Sequence, residues 1–563
     1  MIKFIRTTLL AMATLSVMPV AAQQVNKAPL PKVMNRYGKM VDMPVFGSPE
    51  ANNIVPKRCG TSILENQLAK DGKRRVISSS MNYVPHTGNV TIPVILVNFK
   101  DVQFTINSPK TAFDQFFNGT TQTELGNANS YNHGSVAQYF KDMSRNEFTP
   151  EFKVYGPVTV DSVMSYYGGK KDDGSDEKPG ALIKDAIAKL QASSEKIDDA
   201  SQFCTDGKTI DCIYIIYAGL GQNNGGSVSS VWAKTGNLLS TSINGTSIRW
   251  YSMAGELGPN TTANDVENGI TQGNPMITGV GVTCHELSHA LGLPDFYTTN
   301  PKAYLDNQEM EYWDLMDGGE YTYEGYCPTA YTAFEKNEME WPVDIQELSE
   351  NKSVSMSTST EQGGTAYKIA NPDNSKEYLM LEKIQKVGWN RYQLGNGLLI
   401  YHVNRPSDKM NSNDRYNNTP GFPGMAVIPA DGACLSSYID ANRANYLRSH
   451  HGDLFPGTGN VDTLNVTELS DAKPQPNFCW YNSGKTQKLA TNKALRNIKY
   501  DVNTGVVSFD YIDDVATAIR NISIDKNNVA DTRIYTIDGR YVGTDLNTLP
   551  HGLYIRGGKK IIK

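Results

Sequence analysis

The sequence predicts an α/β (α+β) unit over residues 86–345, followed by β-rich domains. Three observations carry that expectation. Apolar runs dense in β-branched residues alternate with amphipathic helical stretches in the first part. Past Pro342, helical spacing gives way to short alternating strands separated by Gly, Asn, Asp and Pro turns. The composition, 39% hydrophobic and 20% charged with 48 Gly and 30 Tyr, fits a globular chain rich in strands and turns. At 563 residues the chain is too long for one core, and its length suggests roughly three or four folding units. A net charge of −6 without any basic block offers nothing to nucleic acid or to an anionic membrane.

Lys3 and Arg6 precede a short apolar run that ends in Val20-Ala21-Ala22. A positive start, a short apolar stretch and small residues at the exit read as a signal peptide over residues 1–22. No other stretch is long enough to span a bilayer, so an exported protein without a transmembrane anchor is expected. Residues 23–85 are polar and weakly periodic, which suits a removable pro-segment and equally a linker. VTIPVILVNF (90–99) reads as a buried strand, SVAQYFKDMS (135–144) as a helix and FTPEFKVYGPVTV (148–160) as a strand. KPGALIKDAIAKLQ (178–191) is an amphipathic helix, and DCIYIIYAG (211–219) is a second buried strand. YKIAN, EYLMLEKI and NGLLIYHVN place strands in a β-rich domain at 346–512, and RIYTI with LYIRG place two more in a final unit at 513–563.

The chemistry concentrates in TCHELSHALGLPDFY (283–297). His285 and His289 are four apart, so on a helix both imidazoles leave from one face, as two ligands of a zinc ion do. A catalytic zinc needs a third protein ligand and an open position. Glu286, beside the first His, can serve as the base that deprotonates an attacking water. Two residues compete for the third ligand. Asp295 follows His289 after Gly292, which can end the helix in a left-handed turn, and Pro294, which forbids its continuation. Glu309 stands at the spacing used by thermolysin-type sites, but LDNQEMEYWD lacks the look of the helix such a site requires. Asp295 is favoured, and Glu309 reads as a solvated carboxylate.

H-E-x-x-H-x-x-G-x-x-D followed by WDLMDGG (313–319) resembles the metzincin clan, in which a Met-containing turn lies beneath the zinc; Met316 stands at that place. Asp as third ligand, with LPDFY and W-x-L-M-x-G-G, resembles the immune inhibitor A family of secreted peptidases, and the likeness extends over most of residues 90–405. The resemblance implies a metzincin-like zinc peptidase domain at 86–345 followed by β-sandwich-type domains, Zn²⁺ as cofactor and protein or peptide substrates. Several metzincins carry a Tyr two residues after the Met; here that position is Gly318, leaving Tyr321 and Tyr323 as candidate transition-state stabilisers. Relatives can carry an acidic calcium-binding stretch, of which FCTDGKTID retains only Asp206 and Asp211. His402 reads as structural. Arg58-Cys59-Gly60 resembles the cysteine switch of matrix metalloproteinases, in which a thiolate fills the open position of the zinc; a disulfide or an idle thiol is the alternative. Among the seven cysteines, proximity suggests the pairs Cys204–Cys212, Cys284–Cys327 and Cys434–Cys479. The end of the chain resembles the C-terminal sorting domains of the type IX secretion system, implying passage through the periplasm to the cell surface or medium.

Overall fold

The computed structural model describes residues 83–120, 131–169, 171, 175–237, 240–258, 276–300, 303, 307–406, 414–432, 450–465, 478–515, 533–556 and 559–563, with two short paired strands at Lys32–Met34 and Met40–Asp42. The signal peptide, nearly all of the expected pro-segment including Cys59, and Cys434 lie outside the described residues.

The first part is built from β1 (Gly88–Asn98), α1 (Pro109–Asn118), α2 (Val136–Ser144), β2 (Phe148–Thr159), α3 (Pro179–Gln191), β3 (Ile210–Leu220), β4 (Lys234–Asn237), β5 (Thr246–Leu257) and α4 (Val280–Leu291). Its sheet has the order β2-β1-β3-β5-β4, parallel except for β4, which runs antiparallel at one edge. β3, nearly all apolar, is buried along almost its whole length, as a central parallel strand covered on both faces must be. Strand alternation sends Cys212, Tyr214 and Ile216 to one face, where α1, α2 and α4 pack. Ile213, Ile215 and Tyr217 go to the other, against α3. The elements expected from periodicity are all present; α1, β4 and β5 were not foreseen, because β5 mixes Arg, Ser and Glu among its apolar residues and reads as neither pattern.

After the short helix α5 (Ala333–Glu338) come β6 (Ile345–Glu347), β7 (Lys352–Met356), β8 (Ala366–Ala370), β9 (Glu377–Ile384), β10 (Gly397–Asn404), β11 (Met425–Val427), β12 (Leu464–Asn465), β13 (Ala494–Tyr500) and β14 (Val507–Ile512). They form two sheets, β11-β10-β9-β8-β6 and β7-β14-β13-β12. Period-two alternation divides the first of these cleanly. Leu379, Leu381, Leu398 and Ile400 meet Val354, Val507 and Phe509 of the second sheet. Met380, Leu399, Tyr401 and Val403 face the opposite way and join the hydrophobic cluster that contains α4. The core therefore continues through residue 345 into this sheet.

The last strands, β15 (Ile534–Thr536), β16 (Tyr541–Gly543), β17 (Leu553–Arg556) and β18 (Lys559–Ile562), make a small antiparallel sheet of order β16-β15-β17-β18. Among the described residues no helix is long and apolar enough to cross a membrane.

Candidate metal centre

Every residue of α4 is buried. Its start passes so close to residues 318–325 that a Cβ on Gly281 would lie 1.9 Å from the Glu320 carbonyl oxygen, so only glycine fits there. At its other end Gly292 takes φ of 112°, and the amides of Gly292 and Leu293 bond back to His289 and Ser288 at 3.0 Å each. The Val84 amide, 3.0 Å from Ala290 O, and the His86 ring, 2.6 Å from Leu291 O, meet two of the carbonyls the helix leaves open.

That turn brings Asp295 back to the histidines. Asp295 Oδ1 is 3.3 Å from His285 Nε2 and 3.2 Å from His289 Nε2. Two ligands about 2.0–2.1 Å from a tetrahedral zinc stand about 3.3 Å apart, so the three atoms fit that ion. The opposite ring nitrogens are occupied: His285 Nδ1 lies 2.9 Å from Leu315 O, and His289 Nδ1 lies 2.7 Å from Leu293 O. Such bonds fix the tautomer and direct each Nε2 toward the metal position. Burial raises the Asp295 carboxyl, but the two imidazoles, His289 foremost, outweigh it and hold the group well below the usual carboxylate range.

Glu286 is buried, and its Oε2 accepts a 3.0 Å bond from the Thr235 hydroxyl. Thr235 on edge strand β4 is in register with Ser252 on β5, and their hydroxyls are 2.8 Å apart beneath the helix. The Met316 turn is bound to the rest of the site. Leu315 supplies the carbonyl for His285, Met316 O accepts from the Phe296 amide at 3.0 Å, and the Met316 amide donates to Asp314 Oδ1 at 2.7 Å. Glu320, also buried, places a carboxylate oxygen 3.8 Å from His285 Nδ1.

Residues 86–344 match the family model described as immune inhibitor A peptidase M6, catalytic domain. This stretch is similar to the peptidase M6 domain of the immune inhibitor A type. Among similar proteins, immune inhibitor A of Bacillus thuringiensis subsp. alesti is 26% identical over 260 residues, covering 40% of this chain and 36% of that protein. The pre-pro-metalloprotease PrtV of Vibrio cholerae serotype O1 (strain M66-2) is 25% identical over 227 residues, covering 37% of this chain and 24% of that protein. The matched stretch thus spans about a third and a quarter of those relatives.

The structure also places the other residues singled out in the sequence, and some of those expectations need correction. Glu309 is fully buried rather than solvated: its Oε1 accepts from the Thr298 amide at 2.6 Å, and it is not among the clustered ligand atoms of the two histidines. Cys204 and Cys212 carry free thiols, because the strand sends Cys212 to one face of the sheet while Cys204 packs on the other. Cys284 and Cys327 are free as well; Cys327 Sγ turns toward Trp389 O at 3.3 Å. Arg249 bridges Asp206 and Asp211 at 2.8 and 3.1 Å, taking the place a Ca²⁺ ion would need. Tyr321 is buried, and Tyr323 stacks on Tyr392 with ring centroids 3.8 Å apart. His402 bonds Glu377 at 2.9 Å, in keeping with a structural role. Sequence reasoning missed Thr235, Ser252 and Glu320, which sit in polar segments without periodicity.

Proposed function

We propose that the chain is an exported zinc-dependent endopeptidase, made as a zymogen, with His285, His289 and Asp295 as the metal ligands and Glu286 as the general base. The observation that carries the reading is the convergence of both Nε2 atoms on one oxygen of Asp295, at 3.3 and 3.2 Å, beside a buried glutamate. Bound zinc supplies the Lewis acidity that acidifies a water and polarises the scissile carbonyl of a protein substrate. Glu286 takes the proton from the attacking water and returns it to the leaving amine. The Thr235 hydroxyl holds Glu286 Oε2 in place from the edge strand, and the carbonyls of Leu315 and Leu293 hold the two rings. Met316 belongs to the floor beneath the metal.

Around this domain we assign the signal peptide, a pro-segment whose Cys59 thiolate would fill the zinc's open position, and a type IX sorting domain that delivers the protein through the periplasm to the surface or medium. The first rests on the charge and hydropathy of residues 1–22, and the cysteine switch and sorting domain rest on sequence resemblances. Casein cleavage by the form released into the medium tests the reading. It should stop with a chelator, and Glu286→Ala should cut it by about 10²–10⁴-fold while zinc content stays unchanged. Undiminished cleavage in that variant would overturn the mechanism; absence of cleavage by every processed form would leave a binding protein on a peptidase scaffold.

A further inference from the structure

A second set of metal-ligating side chains lies along the segment that carries Met316. Glu311, His450 and Asp453 are all buried, and one donor atom from each falls within 4.8 Å of the others. His450 Nε2 meets Glu311 Oε2. Each carboxylate is held by an outer donor on one oxygen. Gln308 Nε2 donates to Glu311 Oε1 at 2.6 Å, and the Trp313 indole donates to Asp453 Oδ2 at 2.7 Å. Ligand carboxylates are oriented in this way by their outer partners.

The backbone pins both halves. The Glu311 amide donates to Asp317 Oδ2 at 2.6 Å, closing the loop that contains Met316. Asp453 accepts on its carbonyl from the Ala430 amide at 2.9 Å, and the Asp431 amide donates to Gly452 O at 3.1 Å. Two carboxylates and one imidazole removed from water are costly unless charge and lone pairs are both answered, and a divalent cation answers both. The donor set discriminates among cations. Calcium takes six to eight oxygens and magnesium keeps several waters, whereas one imidazole nitrogen with two carboxylate oxygens suits zinc.

We propose that Glu311, His450 and Asp453 bind a second zinc ion, structural in role, that fastens the Met316 segment to residues 450–453. Catalysis is not needed for this site to exist, so it stands apart from the function proposed above.

Elemental analysis of the full secreted chain, dialysed against metal-free buffer without chelator, tests it. Wild type should hold two zinc ions per chain, His285→Gln/His289→Gln one, His450→Gln one, and the triple variant none. A single zinc in wild type that is lost in His285→Gln/His289→Gln would overturn the proposal and leave a metal-free ion-pair triad; calcium in place of the second zinc, or two zinc ions retained by His450→Gln, would overturn it as well. Should His450→Gln fail to fold, the wild-type stoichiometry decides.

Discussion

Among the described residues, two buried clusters of candidate metal ligands have similar chemistry, and they differ in how the chain assembles them. In the first, His285, His289 and Asp295 follow one another along a single helix and the turn that ends it. In the second, the Trp313 indole reaches across 140 residues of sequence to Asp453, and Glu311 comes from a different element than the turn that carries His450 and Asp453. Local geometry alone builds the first: the helical period aligns the rings, and Gly292 with φ of 112° sends the chain back. The second exists only because the sheet β11-β10-β9-β8-β6 shares its core with α4, bringing residues 450–453 against the Met316 segment.

The largest effect that would separate the two sets comes from Gly281. A methyl group there must displace the Glu320 carbonyl, so Gly281→Ala should lower stability by about 1–3 kcal/mol or more. Thermal unfolding measures the loss, and zinc analysis should find the first set weakened and the second retained. An unchanged melting temperature would mean that α4 can slide without cost, and the local account would fail.

A second test concerns the buried acids behind the Met316 turn. Desolvation pushes Glu335 up to about 7 from its ordinary 4.5, against the opposing bonds from Thr332 and Asp314, and the neighbouring Asp314 is raised as well. The folded state then keeps a proton that the unfolded chain releases, so stability is greatest below about 4.5 and declines as pH rises toward about 7. Glu335→Gln should flatten the melting temperature across that window. A slope equal to wild type would assign the pH response elsewhere.

The smallest expected effect is that of Tyr323→Phe. The substitution keeps the stack on Tyr392, so casein cleavage should stay within about twofold of wild type. A loss of a hundredfold would restore Tyr323 as the stabiliser that the sequence suggested.

Legibility in the sequence follows the same division. Long apolar runs with a clean period announced β1, α2, α3 and β3, and the HELSH helix with its GLPD turn announced the clustering of His285, His289 and Asp295. Thr235 and Ser252 stayed hidden because a hydroxyl under a helix is set by strand register, which one strand's composition does not carry. The expected pairing of Cys204 with Cys212 failed for a related reason: closeness along the chain does not say which face of the sheet a side chain takes. His450 offered little signal, since Glu311 is brought to it and to Asp453 by tertiary packing.

Zinc per chain in Asp295→Ala and in Glu309→Gln, measured beside casein cleavage, tests the central claim most directly. The account predicts that Asp295→Ala loses one zinc ion and falls to background cleavage, while Glu309→Gln keeps the wild-type zinc content. A full zinc complement in Asp295→Ala, with loss of zinc in Glu309→Gln, would contradict it.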